Sequence, residues 1–426
     1  MINMKIAITT VGSRGDLQPF IALGLGLKKT GHQVLIISAK NEENFVKDYG
    51  LDFCALDVDI QELMEGKDVQ EMSKGKNPIK FITSHLKGSR NMKELMIKTQ
   101  ADIWKACNGF DLIIFHTGMP IGFFKAKVEN LKSVMLNPFP VVSTPDYPSI
   151  LFYTLPKLGK VFNRLTHKIF YKVFWALTKS AIQEFWQKEV EKKVNFSTSP
   201  IKQQIMSGQP VINAYSSFLF KPYEKWNENI HTTGSLLIEN ENKYKPEFEL
   251  EKFLSNGEAP IFIGFGSMRE LGEFSKTIKI IEDVAKVTGQ RFIVGLGWTK
   301  NSYDKPISNS ILLIESIPFG WLFPKTKMVI HHGGAGTTAI GLISGKPTTI
   351  IPHNADQPAW GKRIYELGLG AKPIPKKSLS SEKLANAIKY SLQPDIVKNA
   401  IEIGEKMRNE NGLEKAVKII NDYIKE

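Results

Sequence analysis

Twice along this chain of 426 residues, short apolar runs alternate with segments of helical periodicity. In the first half the apolar runs fall at 5–11, 33–38, 111–116 and 133–137, with helical stretches at 18–30, 41–49, 91–107 and 121–129. In the second half the runs fall at 260–265, 291–296, 311–316, 327–331 and 348–351, with helical stretches at 277–288, 337–344, 358–367 and 382–391. Strands that are apolar along their whole length are buried on both faces, and strands separated by helices pair in parallel. The pattern therefore predicts an α/β fold with two parallel sheets, each covered by helices. The expected boundaries are an N-terminal domain at 1–220, a polar linker at 221–257 with some order around 232–238, a C-terminal domain at 258–395, and Lys/Glu-rich helices at 396–426 that pack back on the N-terminal domain.

Charge leaves the partner open at this stage. The chain carries 56 Lys+Arg against 43 Asp+Glu, a formal net charge of +13, which suits nucleic acid, an anionic membrane surface or an anionic substrate. Hydrophobic residues at 42% and charged residues at 23% exclude a disordered or collagenous chain. Cys54 and Cys107 match no zinc or redox spacing and read as small core residues of a protein in a reducing compartment. The N-terminus runs straight into a strand pattern, so no signal peptide is expected, and no apolar run of about 18 residues is present to cross a membrane. The expected location is the cytoplasm, with any membrane contact peripheral.

Ligands of open parallel sheets bind beyond the carboxyl ends of the strands. Two strand-end loops stand out there. His331-His332-Gly333-Gly334-Ala335-Gly336-Thr337-Thr338 follows an apolar run and opens a helix. Glycines let a ligand approach the backbone, and the helix start offers unpaired N–H groups and a positive dipole end. The loop reads as a phosphate cradle with His332 and Thr337 as added donors. It lacks the Gly-Lys-Ser/Thr of a P-loop and the Gly-x-Gly-x-x-Gly spacing of a dinucleotide fingerprint. The alternative is a tight turn with a core histidine. Gly266-Ser267 ends a strand on the same rim, and Asp356-Gln357 offers an acceptor and a donor/acceptor suited to vicinal sugar hydroxyls. Taken alone, that pair is more often a helix N-cap. At the other end of the chain, Gly12-Ser13-Arg14-Gly15-Asp16 joins the first strand to the first helix. Asp16 is either an N-cap or a general base, and Arg14 either pairs with a phosphate or holds Asp16 ionised.

These residues carry a resemblance. The stretch 329–338, then 347–352, then Ala355-Asp356-Gln357-Pro358-Ala359-Trp360-Gly361, resembles the donor signature of GT-B glycosyltransferases, sterol glucosyltransferases and glycopeptide- and macrolide-antibiotic glycosyltransferases above all. The opening Thr9-Thr10-Val11-Gly12-Ser13-Arg14-Gly15-Asp16, and the stretches 265–268 and 317–324, resemble the same group. Residues 55–110 and 150–230 carry no such likeness. The resemblance implies two Rossmann-like domains with parallel sheets facing across a cleft. It implies a UDP-linked hexose, glucose foremost, bound by the C-terminal domain. By position, His332 is similar to the family's diphosphate-contacting histidine, and Gly334, Gly336, Thr337 and Ser267 to further phosphate contacts. Asp356 and Gln357 match the hexose-binding pair, and Ile317 the nucleobase edge. Asp16 matches the catalytic base of the subgroup, with Ser13 and Arg14 facing the diphosphate. His116 stands near where plant-type members place the acid that partners the base; a structural histidine is the competing reading. Phe139 and Tyr147 lie in a proline-aromatic loop that resembles the acceptor loop of sterol-type members. The sequence departs from the family at Phe319, where many sterol-type members have histidine, and at His353-Asn354.

Inverting transfer needs a base for the acceptor proton and a positive site for the departing diphosphate. No Asp-x-Asp lies in either signature loop, so no metal or other cofactor is expected beyond the UDP-sugar co-substrate. Lys157, Lys160, Arg164, Lys168 and Lys172 share one helix face, and Leu158, Val161, Leu165, Ile169 and Val173 fall on an adjoining one. A basic amphipathic helix reads as a membrane-surface element or the port of an apolar acceptor; the alternative is a helix packed on its domain with a solvated lysine row. No nucleic-acid module accompanies it. The expected protein is a monomeric inverting hexosyltransferase acting on an apolar, lipid-like or polycyclic acceptor. The competing readings are an antibiotic glycosyltransferase using a TDP-deoxysugar and a non-catalytic lipid-binding protein on the same scaffold.

Overall fold

The computed structural model describes residues 3–12, 14–59, 90–190, 192–238, 244–264, 274–297, 308–315, 317–353 and 355–426. They divide into two compact units, Met1–Ile238 with Asn411–Glu426, and Glu239–Glu410.

The N-terminal unit is built on β1 (Lys5–Thr9), α1 (Arg14–Lys29), β2 (Gln33–Ala39), α2 (Glu43–Lys47), β3 (Asp52–Leu56), α3 (Arg90–Ala106), β4 (Leu112–His116), α4 (Ile121–Glu129), β5 (Lys132–Asn137), α5 (Lys160–Glu189), α6 (Pro200–Met206), β6 (Val211–Asn213) and β7 (Ile230–Thr232). Its seven strands run in the order β3-β2-β1-β4-β5-β6-β7, all parallel, with Ile6 opposite Val34 on one side and Leu112 on the other. The central strands are buried on both faces, as their unbroken apolar runs require. Helix α1 closes at Gly31 (φ 95°), where the amides of Gly31 and His32 bond back to Lys28 and Leu27 at 3.0 and 3.2 Å.

The C-terminal unit carries α7 (Phe248–Ser255), β8 (Ile261–Gly264), α8 (Phe274–Thr288), β9 (Phe292–Gly295), β10 (Ile311–Ile314), α9 (Phe319–Leu322), β11 (Met328–His331), α10 (Ala335–Ile343), β12 (Thr348–Ile350), α11 (Gln357–Glu366), α12 (Ser381–Ser391) and α13 (Pro394–Arg408). Its five strands run in parallel in the order β10-β9-β8-β11-β12. The last helix, α14 (Gly412–Lys425), belongs to the N-terminal unit.

Three features differ from the expected layout. The stretch 221–238, expected as linker, contributes β7, which pairs with β6 through Val211 and Ile230. Strands of three residues are too short to show a period, and a polar edge strand looks like linker in composition. The weakly alternating edge strand β3 was likewise not expected. The helices expected as one block at 396–426 separate. Helix α13 packs on α10, and a side chain on Gly404 would meet the carbonyl oxygen of Leu342 at 2.6 Å. Helix α14 lays Ala416, Val417, Ile420 and Ile424 into the core formed by Ile6, Phe20 and Leu23. A side chain on Gly26 of α1 would meet Val417 at 2.6 Å, so glycine there sets the close helix contact. Both cysteines are free thiols; Cys54 is half-buried, and burial pushes the Cys107 thiol up to about 12. Among the described residues no helix is long and apolar enough to cross a membrane.

Past α11, the chain bonds back to β12: the amide of Thr348 donates to the carbonyl of Leu369 at 2.9 Å. A methyl group on Gly370 would overlap the carbonyl oxygen of Thr348. Gly370→Ala should therefore destabilise the C-terminal unit by about 1–3 kcal/mol through backbone displacement, read as a lower urea midpoint with an unchanged slope.

Candidate functional site

Both sheets reverse their winding at one place. In the N-terminal unit the order turns back between β1 and β4, and in the C-terminal unit between β8 and β11. At such a switch point the loops leaving adjacent strands diverge to opposite faces and open a crevice at the strand ends. The two loops singled out from the sequence leave β1 and β11, and each borders its own sheet's switch point.

On the N-terminal unit, the chain leaves β1 through Gly12 and enters α1. Asp16 lies in the first turn of that helix, after Arg14 has opened it, so it does not occupy the N-cap position. A side chain on Gly12 would stand 2.7 Å from both Cβ and Oδ2 of Asp16, so glycine is what admits the carboxylate over the turn. Asp16 is solvent-exposed, and the helix N-terminus favours its negative charge. His116 ends β4, the neighbouring strand. Its Nδ1 accepts a hydrogen bond from the amide of Gly118 at 3.1 Å, which leaves the proton of the neutral ring on Nε2. Burial lowers its pKa to about 4. The ring meets Phe20 edge-on at 5.8 Å and Phe139 at 6.0 Å. Phe20 sits one helical turn after Asp16. Asp16, Phe20, His116 and Phe139 thus gather at one end of the sheet.

Tyr147 does not join them. Its hydroxyl is buried, and its ring packs on Phe220 at 5.3 Å and on His167 at 6.4 Å. Tyr147, half-buried, belongs to an aromatic cluster with Phe220 and His167. Ser13 and Ser267 lie outside the described residues, as does the side chain of Arg14. The five basic residues Lys157, Lys160, Arg164, Lys168 and Lys172 are exposed at and before the start of α5.

On the C-terminal unit, the two adjacent histidines divide their roles. His331 ends β11, is buried, and accepts the amide of Gly333 on its Nδ1 at 3.0 Å, which braces the turn. Burial holds its pKa well below the usual histidine value, helped by its neighbour His332. His332 faces the other way. Its Nε2 lies 2.8 Å from where a side chain on Gly334 would begin, over the entry to α10. Burial lowers its pKa to about 4, so the ring is neutral near pH 7. Gly333 takes φ 101°, and a side chain there would strike Ile350 at 2.7 Å and Gln357 at 3.1 Å. Gly334 is the N-cap of α10, and the first intrahelical bond runs from Thr338 to Gly334 at 2.9 Å. The amides of Ala335, Gly336 and Thr337 therefore have no acceptor within the helix. No acidic side chain lies in that turn to oppose an anion. Thr337 is buried at the same end.

The loop after β12 completes the rim. Ala355 holds φ 52°, a left-handed conformation that L residues rarely adopt, immediately before Asp356. Asp356 occupies the N-cap position of α11, but its side chain makes no cap bond. Instead its Oδ2 accepts the indole N–H of Trp360 at 2.8 Å, which fixes the carboxylate's orientation. The side-chain oxygen of Gln357 accepts the amide of His353 at 2.8 Å, which ties the loop down. The His353 ring lies 6.4 Å from that of His332. Ile317 lines a groove of the same unit with Tyr244, Glu247, Leu250, Leu313 and Glu315. Tyr244 meets Trp321 edge-on at 5.2 Å, and Lys325 sits 4.0 Å above the Trp321 ring. Phe20, Trp360 and His353 carry no site role in the sequence analysis, although Trp360 lies in the donor signature and His353 marks a departure from the family. The first two were signalled by their spacing, four residues after Asp16 and Asp356. Among the described residues no group of three or more His, Cys, Asp or Glu could hold a metal ion.

Comparison with known proteins bears on the family and the fold. The N-terminal domain model of glycosyltransferase family 28 matches residues 6–115. The C-terminal domain model of the erythromycin biosynthesis protein CIII-like family matches residues 279–420. A sterol 3-beta-glucosyltransferase of Arabidopsis thaliana is 30% identical over 437 residues, covering 99% of this chain and 68% of the relative. A second from the same plant is also 30% identical, with 99% and 66% covered. A sterol 3-beta-glucosyltransferase of Saccharomyces cerevisiae is 30% identical, with 99% of this chain and 35% of the relative covered. The chain thus spans about two thirds of the length of these plant relatives and about a third of the yeast one. Among solved structures, the glycotransferase of kitacinnamycin superposes with a TM-score of 0.72 at 14% identity, over 99% of each chain. The glycosyltransferase SnogD from Streptomyces nogalater does so with a TM-score of 0.67 at 18% identity, over 99% of this chain and all of its own. At such identities the superpositions show the fold.

The buried rings set a pH dependence. His116, His167 and His332 are lowered to about 4, and His331 is held well below its ordinary value, in each case by burial foremost. In the unfolded chain each binds its proton near pH 6.5, so below that value the unfolded state holds more protons than the native one. Stability is complete above about pH 6.5 and is lost as pH falls from about 6.5 toward about 4. Urea midpoints measured from about pH 7 down to about pH 5 should decline; a flat profile would show that the rings are solvated.

Proposed function

This chain belongs to the family of the sterol 3-beta-glucosyltransferases, and from that premise we propose that it is an inverting transferase that moves a hexose, glucose foremost, from a UDP-sugar to a hydroxyl of an apolar, sterol-like acceptor. The observation that carries the reading is the turn at Gly333 and Gly334: it opens the N-terminus of α10 to a ligand and sets His332 above it. Backbone amides of a helix start, with no acidic residue in its first turn, suit a diphosphate.

The chemistry follows from the side chains. The Asp16 carboxylate takes the acceptor's hydroxyl proton while the oxygen attacks the anomeric carbon. The bond from that carbon to the diphosphate oxygen breaks, and the leaving group carries the electron pair away. The charge that develops on it is met by the amides of Ala335, Gly336 and Thr337 and by an N–H of the neutral His332 ring. Arg14, with Ser13 and Ser267, adds further diphosphate contacts. Asp356, fixed by Trp360, takes sugar hydroxyls together with Gln357, and Ile317 borders the nucleobase. His116 contributes an N–H donor beside the acceptor, and Phe139 contributes apolar contact. The helix dipole and His332 do the work a divalent cation does in other transferases, so no metal or cofactor is required beyond the co-substrate. Intact Asp16, His332, Asp356 and Gln357 weigh against a degenerate, non-catalytic scaffold. The 30% identity to sterol-glucosylating relatives favours a sterol-like acceptor over an antibiotic one. In this reading the protein works as a monomer in the cytoplasm and touches the inner face of the membrane peripherally through the lysine row at the start of α5.

Mass spectrometry of products from UDP-glucose and a panel of sterols, diacylglycerol, macrolides and flavonoids tests the assignment. Asp16→Asn should lower transfer by about 10²–10⁴-fold while UDP-glucose binding, measured by calorimetry, persists; activity near that of the wild type would exclude Asp16 as the base. Dialysis against chelator should leave the rate unchanged, whereas loss of activity restored by manganese would require a metal step.

A further inference from the structure

The first turns of α5 are inside out. The side chains they bury are polar: Asn163, Thr166 and His167. Each serves the proline-rich segment 138–149, whose backbone needs partners. Asn163 donates to the carbonyl of Pro145 at 2.8 Å, Thr166 accepts the amide of Ser149 at 2.9 Å, and a ring nitrogen of His167 lies 3.2 Å from the carbonyl of Tyr147. One turn on, the Tyr171 hydroxyl accepts the amide of Ser143 at 2.8 Å and donates to the carbonyl of Val141 at 3.1 Å. The buried face is thus committed to backbone satisfaction, which carries a high cost if left undone.

Val161 and Leu165 of the same turns, and Leu158 just before the helix, are left outside. Leu158 is 62% exposed, Val161 82% and Leu165 49%. Among the described residues of the N-terminal unit, large apolar side chains are exposed at these three positions and at Met206 and Phe218. Three of the five therefore fall within eight residues of chain. Lys160, Arg164 and Lys168 flank them on the helix and are exposed. No acidic residue occurs between Asp146 and Glu184 to offset the charge. An apolar stripe edged by cations and free of acids is complementary to one surface in particular: anionic headgroups over hydrocarbon.

We propose that this end of α5 inserts into an anionic lipid bilayer, with Leu158, Val161 and Leu165 entering below the headgroups and the flanking Lys160, Arg164 and Lys168 bound to lipid phosphates. The proposal rests on the peripheral membrane contact stated above and deepens it, because it makes apolar insertion rather than charge alone the source of binding. Charge attracts the protein to the surface and is screened by salt, whereas the inserted side chains resist salt.

Co-sedimentation of the full chain with phosphatidylcholine vesicles, with and without phosphatidylglycerol, tests this. The wild type should bind the phosphatidylglycerol vesicles and keep part of that binding at high salt. The combined Leu158→Glu, Val161→Glu and Leu165→Glu variant should lose about tenfold or more in partitioning, while Val287→Glu, an exposed valine of the other unit, should bind as the wild type does. A polarity-sensitive fluorophore on Val161→Cys should shift to the blue with these vesicles. Transfer from UDP-glucose to a detergent-dispersed sterol should survive in the triple variant, and circular dichroism should match the wild type. Absence of binding to phosphatidylglycerol vesicles, equal binding by the triple variant, or a wild-type self-association that the triple variant abolishes would each overturn the proposal. Failure of sterol transfer in every variant and in the wild type would instead count against the assigned activity and leave the vesicle result standing.

Discussion

The reversal of strand order in each sheet is the constraint on which the rest depends. A parallel sheet wound in one direction alone sends its strand-end loops to a common side and closes the space above its carboxyl edge. Winding back between β1 and β4, and again between β8 and β11, parts the neighbouring loops. Asp16 and His116 belong to one such parting, His332 and Gly334 to the other. Glycine is needed at both because the chain has to turn at once. At Gly12 a side chain would occupy the place of the Asp16 carboxylate, and at Gly333 it would enter the packing of Ile350 and Gln357.

Around these turns the protein uses buried, neutral groups rather than charge. His331, His332 and His116 are held neutral by burial, and the positive end offered to an anion is a helix start. Backbone amides are pre-oriented and need no reorganisation when charge develops nearby. Supporting side chains fix what remains: Trp360 holds Asp356, His331 holds Gly333, and Gln357 holds His353. The +13 net charge of the chain has little part in this region. A concentrated part of it lies at the start of α5, among exposed apolar residues.

Helix α5 shows how a backbone demand redirects side chains. The segment 138–149 is rich in proline and makes no strand ladder, so its carbonyls and amides take partners from the helix beside it. Those partners have to be polar, and they occupy the inward face. The apolar residues at 161 and 165 face outward as a consequence.

Much of this was legible in the sequence. Unbroken apolar runs dictate strands buried on both faces, and intervening helices dictate parallel pairing; Gly31 ends its helix because only glycine sits readily at a positive φ. The glycine-rich loop after β11 and the Asp16 turn were visible as strand-end chemistry, because those residue types have few other uses there. Strands of three residues leave no periodic trace, so β6 and β7 were not expected. Strand order was not legible either, since every winding of the same elements has the same local pattern. Local spacing placed a lysine row beside an apolar row on α5 but does not say which face is buried. That was decided by hydrogen-bond demand from a loop some twenty residues earlier in the chain. Of the two adjacent histidines the sequence singled out His332 and gave His331 no task. The packed turn, with the amide of Gly333 aimed at His331, decided that His331 serves the backbone and that His332 lies over the helix end.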